Sequence, residues 1–280
     1  MASLREIKDR IGSVRSTLQV TSAMKLVSSA KLRKAQKVIE GMRPYSDALS
    51  DILSAVGPLE QQAAATTADA PVAVVVISSN TSLCGAFNAN VIRASLELRD
   101  KYGDIVYFPV GRKCVEAVRR AGFVPEADYS DLVARTSYDK ASAFARDLIA
   151  RYEKGEFSRI LLVYNRFIST SVQKPVVETY MPFSLQASPD TAAREPEDFI
   201  FEPDAQTIAT SLLPQMICLK FYAAVLDSEA AEQAARTMAM QTATDNGEHL
   251  LSDLTLEYNK GRQQKITSEI LDLVGGASQE

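Results

Sequence analysis

Few side chains in this 280-residue sequence are placed to do chemistry. The single histidine, His249, excludes a histidine-rich metal centre and argues against a Ser-His-Asp or Cys-His mechanism. Cys84, Cys114 and Cys218 lie far apart with no CxxC pair, as expected of free thiols in a reducing compartment. The segment SSNTSLCGAFNANV (78–91) follows a β-branched run at 72–78 and opens a helical stretch. That is where doubly wound proteins bind ligands. It holds one glycine, Gly85, lacks GxGxxG, and the chain has no GxxxxGK[ST], which argues against a dinucleotide or triphosphate site. Cys84 could be a nucleophile activated at a helix start, or a buried structural thiol. It has no evident base, because His249 falls in the terminal helix. Asn80-Thr81-Ser82 matches a glycosylation sequon, which means nothing without secretion. The carboxylates, Asp51, Glu60 and Asp69 among them, show no paired acid/base spacing.

Hydrophobic residues make up 46% and charged residues 24%, which excludes wholesale disorder and collagen-like composition. The unbroken apolar run 72–77, exceeded nowhere in the sequence, is far short of the ~20 residues of a membrane helix. The N-terminus is charged from Arg5 onward and has no apolar signal core, so no secretion is expected. The net charge of −4 hides an asymmetry: residues 1–43 carry ten basic and three acidic residues, on an acidic remainder. Such a segment suits nucleic acid, an anionic membrane surface or an acidic protein partner, or is simply a solvated helix face.

The elements that carry these residues are mostly helical at the two ends. Leu4, Ile7, Ile11, Val14 and Leu18 open a heptad seam that continues in frame to Val56, across Pro44. Ser3 with Glu6 forms a capping-box pattern, and Gly57-Pro58 ends the helix. At ~1.5 Å per residue this helix would span roughly 80 Å. A second seam runs from Leu212 through Met216, Leu219, Ala223 and Leu226 into an alanine-rich stretch, ending at Gly275-Gly276. Glu202-Pro203-Asp204 supplies its start; Pro214 should kink its first turns, and Gly247 and Gly261 should weaken it by ~1 kcal/mol each. The two seams most economically bury each other within one chain, with about 24 Å of the C-terminal helix left over. Thr21, Lys25 and Ser28 place polar groups in the first seam, as a register-setting layer or as a moderately sticky surface facing a partner. Between the helices, strands at 72–78, 105–110, 159–164 and 173–183 alternate with helices at 86–102, 112–121 and 139–153. Pro175 puts the last strand at or near an edge. The expected fold is α/β: a long antiparallel coiled coil of N- and C-terminal helices plus a central Rossmann-like, mostly parallel α/β domain. The expected divisions are 1–56, 71–189 and 203–275, with a linker at 57–70 and a polar loop at 190–202.

Three motifs carry a resemblance. TLQVTSAMKLVSSAKLRKAQ (17–36) and MAMQTATDNGEHLLSDLTLEYNKGRQQKITSEILDLVGGA (238–277) resemble the N- and C-terminal signatures of the γ subunit of F-type ATP synthases. SSNTSLCGAFNANV and VQKPVVE resemble its central domain, so the likeness spans the chain in order. The resemblance implies a non-catalytic rotor shaft: a coil inside a hexamer of α and β subunits, and an α/β foot on the membrane c-ring beside the ε subunit. It implies no cofactor, no metal and no catalytic residue. It implies contacts with β from Met24, Lys25, Arg236, Arg262, Gln263, Thr267 and Glu269. Thr237 replaces the family's usual Met, and Gly261 stands where Ala is frequent. The close cysteine pair of the chloroplast form is missing and no mitochondrial-style presequence precedes the first helix, which points to a bacterial enzyme at the cytoplasmic face of the inner membrane. The competing classes are a small-ligand-binding α/β protein with a dimerising coil and a basic-helix nucleic-acid binder. Against the latter, residues 1–43 contain no Phe, Tyr or Trp for stacking bases.

Overall fold

The computed structural model describes residues 3–56, 70–183 and 199–277, with side chains as far as Leu271. Most of the expected linker and loop, and residues 184–189 of the expected central domain, fall outside the described residues. The elements are α1 (Leu4–Val56), β1 (Val72–Ile77), α2 (Phe87–Leu96), α3 (Leu98–Tyr102), β2 (Ile105–Val110), α4 (Arg112–Arg120), α5 (Ser130–Ala134), α6 (Tyr138–Glu153), β3 (Arg159–Phe167), β4 (Gln173–Met181) and α7 (Ala205–Ala277). By compactness the chain forms two units, Ser29–Arg236 on one hand and Met1–Ser28 with Thr237–Glu280 on the other.

The larger unit is built on a four-stranded sheet in the order β2-β1-β3-β4. β1 pairs parallel with β2 and β3, in register Val72 to Ile105 and Val72 to Arg159, and β4 closes the edge antiparallel to β3. Pro175 sits in β4, where an edge strand tolerates its missing N–H. All six residues of β1 are buried, as a strand covered on both faces requires. Val72, Val74 and Val76 pack with Val91, Leu98, Cys114 and Val118 on one face. Ala73, Val75 and Ile77 pack with Phe144, Leu148, Ile217, Phe221 and Val225 on the other.

The second face explains a feature of α7 that a coiled-coil reading misses. Ile217, Phe221 and Val225 belong to the sheet's core, while Leu219, with the half-buried Leu212 and Met216, packs on Leu49 and Leu53 of α1. One helix thus serves two neighbours and is apolar on more than one side. The same property gives α7 an 18-residue stretch of mean hydropathy 1.4, which would suit a membrane span by length and composition; 39% of that stretch is buried. The residues around it that face the sheet and α1 are used as protein core.

Local chemistry sets the boundaries. Ser3 Oγ accepts from Glu6 N–H at 3.2 Å, and Glu6 Oε2 accepts from Ser3 N–H at 2.9 Å, closing the capping box. α7 starts on Asp204, whose Oδ1 accepts from Thr207 N–H at 2.8 Å, so Pro203 stands before the cap and not at N1. Helix continues through Pro44, Pro214 and Gly275-Gly276. The single helix expected at 86–102 is two. Tyr107 Oη donates to the Ser95 carbonyl at 3.2 Å, competing for the acceptor that Arg99 N–H would use. The one-turn α5 is additional, started by Asp128 Oδ1 accepting from Ser130 N–H at 2.9 Å.

In the smaller unit the two terminal helices run side by side in opposite directions. A Cβ on Gly247 would lie 2.7 Å from Leu18 Cδ2, and one on Gly261 3.0 Å from Leu4 Cδ2. Both glycines are therefore points of close approach, which offsets their poor helix propensity. Thr244 Oγ1 donates to Thr21 Oγ1 at 3.0 Å, and Thr21 Oγ1 donates to the Leu18 carbonyl at 3.1 Å. This buried hydroxyl pair fixes the register, and Ile7, Ser28, Met240 and Leu254 are buried in the same unit. Gly247→Ala should leave the melting temperature of the full chain almost unchanged, because half-buried Leu18 can rotate and alanine returns ~1 kcal/mol of helix propensity. Gly247→Ile should lower stability by about 1–3 kcal/mol through overpacking, and the pair of melts separates the two effects.

Candidate functional site

The carboxyl end of β1 is the place to look for a ligand, because β2 and β3 lie on either side of β1 and the strand order reverses there. The chain fills that place with its own groups. Arg112 N–H donates to Asn80 Oδ1 at 2.9 Å, Lys113 N–H to the Ser79 carbonyl at 3.1 Å, and Cys114 N–H to Ser78 Oγ at 2.9 Å. The first-turn amides of α4, which would cradle a phosphate, are thus used up by the β1 loop. Asn80 Nδ2 donates to the Ser130 carbonyl at 2.9 Å, so the sequon asparagine is also engaged. Gly111 has φ +113°, and a Cβ there would run into the Ser78 carbonyl.

Cys84 is buried beside Phe87, Ala231 and Ala235. Asn88 Nδ2 donates to its sulfur at 3.1 Å. Burial pushes the thiol up, against smaller opposing effects of Ser79 and Arg236. Burial likewise pushes the Cys114 thiol up to about 12. Neither is an activated nucleophile, and Cys84 is the structural thiol of the two readings. Among the described residues no group of three or more His, Cys, Asp and Glu could hold a metal.

α7 forms one wall of the crevice, and a cavity of about 480 Å³ remains beside it, lined by Asn80, Thr81, Glu232 and Arg236 with Lys31, Lys34 and Arg135. Arg236 Nη1 donates to Glu232 Oε1 at 2.6 Å, with both side chains 8% exposed. Its Nη2 donates to Thr81 Oγ1 at 2.8 Å and reaches the Thr81 and Ser82 carbonyls at 3.5 and 3.4 Å. Burial pushes the Glu232 carboxyl up and the adjacent guanidinium pulls it back. The resemblance implies a contact of Arg236 with β; within this chain its side chain turns into the β1 loop. Earlier on α7, Asp227 Oδ1 accepts from Phe167 N–H, at the end of β3, at 3.2 Å.

Burial pushes the Asp227 carboxyl up to about 6, opposed by the Phe167 N–H, Arg166 and Arg43, and reinforced by Glu178. A carboxyl raised in the folded state favours folding below its unfolded value of ~3.9, and that contribution is lost as pH rises through about 6. Asp227→Asn keeps the acceptor and removes the charge. Discounted for solvent screening, the variant should gain about 1 kcal/mol, or about 2–4 °C in melting temperature, at pH 8, and nothing near pH 4. Melts across that range check the sign.

The other singled-out residues lie in the smaller unit. Met24 and Lys25 are half-buried on α1; Arg262, Gln263, Thr267 and Glu269 are exposed on α7. Thr267 Oγ1 donates to the Gln263 carbonyl at 2.9 Å, and Lys265 pairs with Glu269 at 3.8 Å. Gly261 stands opposite Leu4, so α7 from Arg262 onward runs past the start of α1, and every residue from Arg262 to Leu271 is exposed. Apolar side chains are exposed on both helices here: Val20 58%, Leu26 70% and Val27 55% on α1, Ile266 46%, Ile270 54% and Leu271 64% on α7. Ile266 and Ile270 continue the apolar stripe expected of the C-terminal helix, and with Leu271 they interrupt the polar tip at i, i+4 and i+5.

Two long terminal helices, α1 and α7, with a four-stranded α/β body between them in sequence, are the architecture of a stalk-type subunit. A family model described as ATP synthase matches residues 3–279. The chain is 46% identical to the ATP synthase gamma chain of Phocaeicola vulgatus over 288 residues, covering 99% of both chains. It is equally identical to that of Bacteroides thetaiotaomicron over 298 residues, covering 100% of both. The chain belongs to the gamma-chain family of F-type ATP synthases, the central-stalk subunits of that enzyme. Its fold is also that of a chain in the Euglena gracilis mitochondrial ATP synthase in rotational state 3, with TM-score 0.67 and 19% identity, covering 98% of this chain and 93% of that one. A central-stalk chain of the Tetrahymena thermophila mitochondrial enzyme matches with TM-score 0.58 and 22% identity, covering 80% of this chain and 99% of that one.

Proposed function

We propose that the chain is the non-catalytic rotor shaft that couples proton flow through a membrane c-ring to ATP synthesis and hydrolysis on a hexamer of α and β subunits. The observation that carries this reading is the exposed apolar set on both helices of the smaller unit. Apolar residues of that kind call for a cover, and the protruding part of α7 has no second helix to supply it. The tip of α7 enters the hexamer, and the α/β body stands on the ring with the ε subunit, at the cytoplasmic face of a bacterial inner membrane. The basic first helix faces acidic surface on β.

Met24, Lys25, Arg262, Gln263, Thr267 and Glu269 make the contacts with β; Arg236 supports them from inside. A charge-assisted hydrogen bond from Arg262 contributes roughly 1.5–3 kcal/mol and the Gln263 amide less, so these contacts guide and do not lock. Arg262→Ala with Gln263→Ala in the holoenzyme should reduce turnover or coupling and leave nucleotide affinity on β nearly unchanged. Unaltered turnover and pumping would remove the role of these two residues. ATP hydrolysis by the purified chain above a buffer control would remove the non-catalytic reading itself.

A further inference from the structure

We propose that the buried Arg236–Glu232 pair is the joint through which the β1 loop and the part of α7 beyond the sheet's core turn as one piece. The inference rests on the rotor reading above. Its starting point is what the pair does: an ion pair on one face of α7 could satisfy itself along the helix, yet the second nitrogen of the guanidinium is spent on the β1 loop, at Thr81 Oγ1 and two backbone carbonyls. Arg236 therefore bridges two elements that are more than 150 residues apart in sequence. The fork geometry of arginine suits this, because one edge can hold the carboxylate while the other reaches out.

A second fastener lies on the same helix. Asp227 takes the amide of Phe167 at the end of β3, so α7 is tied to the carboxyl ends of both central strands, β1 and β3. The packing between these ties is thin: Ala230, Ala231, Ala234 and Ala235 meet Phe167, Leu32, Cys84 and Phe87. Small side chains let the elements approach closely but offer little to resist sliding. Directional hydrogen bonds from a buried, charged group do resist it, since breaking them leaves charge uncompensated in the interior. The pair also sits in the crevice where an anionic ligand would bind in a fold of this strand order; the carboxylate of Glu232 takes the place of that anion beside the arginine. Arg236, Glu232 and Thr81 are thus positioning residues for torque, and a residue pair that would look like a binding site from its chemistry is a fastening.

The test uses the holoenzyme in membrane vesicles and reads ions pumped per ATP hydrolysed, normalised to assembled complex. Arg236→Met should lower that ratio at least about threefold, and Arg236→Lys, which keeps the charge but not the fork, should recover part of it. The double variant Glu232→Met with Arg236→Met leaves no buried charge unpaired, so stability returns while the tie to Thr81 does not; its ratio should stay low. A merely structural role would change the amount of complex and not the ratio. Wild-type pumping per ATP in the double variant overturns the joint. Where that variant fails to assemble, Thr81→Val decides, since it leaves the ion pair in place: a reduced ratio supports the joint and a wild-type ratio overturns it. Vesicles lacking the chain separate the two readings. If they pump, the rotor reading fails; if they do not and the variants pump normally, the joint alone fails.

Discussion

Gly111→Ala is expected to leave the α/β body unfolded or barely folded. Gly111 adopts φ +113°, a region that L side chains rarely enter, and the added Cβ would be driven into the Ser78 carbonyl. That carbonyl belongs to backbone and cannot rotate aside as a side chain would. Relief requires moving β1 away from the start of α4, which breaks the bonds from Arg112, Lys113 and Cys114 to the β1 loop together. Backbone strain alone contributes about 1–3 kcal/mol, and each buried polar group left unsatisfied about 1–3 kcal/mol more. Against a total stability of about 5–15 kcal/mol this is most of what holds the unit together. Circular dichroism and melting of the full chain measure it. A Gly111→Ala variant that melts within 2–3 °C of wild type, about 1 kcal/mol at this size, would show that the loop is not under the constraint described.

Phe221→Ala should come next in size. Phe221 is fully buried where α7 crosses the sheet, with its ring 5.0 Å from Phe144 and 6.2 Å from Tyr180. Tyr180 in turn donates its hydroxyl to the Ile217 carbonyl at 2.9 Å, a further tie between β4 and α7. Removing the ring opens a cavity between rigid elements and should cost about 3–5 kcal/mol. Ile270→Ala is the matched control, since Ile270 is 54% exposed and should change stability by less than about 0.5 kcal/mol. Hydrogen exchange would add where the loss falls: the larger unit should lose protection in Phe221→Ala, and neither unit in Ile270→Ala.

The contrast between these two residues also marks what the sequence made legible. Both terminal helices could be read because heptad spacing over dozens of residues admits few alternatives, and the start at Ser3 and Glu6 was a local hydrogen-bond pattern that needed nothing distant. The polar step at Thr21 could be seen as a step, but its partner Thr244 stands 223 residues away and no periodicity connects them. The split of the helix at 86–102 depends on Tyr107, which arrives from the next strand. The double service of α7 was hidden for a related reason. Ile217, Phe221 and Val225 fall between the seam positions Met216, Leu219, Ala223 and Leu226, and their target is a sheet assembled from four separate segments. Arg236 was named through the resemblance alone, and nothing in its own segment shows which element of the chain it also holds. Only the fold brings Thr81 within its reach.

The most direct measurement is rotation itself. Val124 lies on the α/β body and is 87% exposed, and Cys84, Cys114 and Cys218 are all buried. A Val124→Cys holoenzyme can therefore be labelled at that one position of this chain, with the complex held to a surface through its α/β hexamer. A bead attached there should turn continuously in one direction when ATP is supplied and stop when it is withdrawn. A bead that stays still on complexes shown to be hydrolysing ATP would contradict the reading of this chain as the turning shaft.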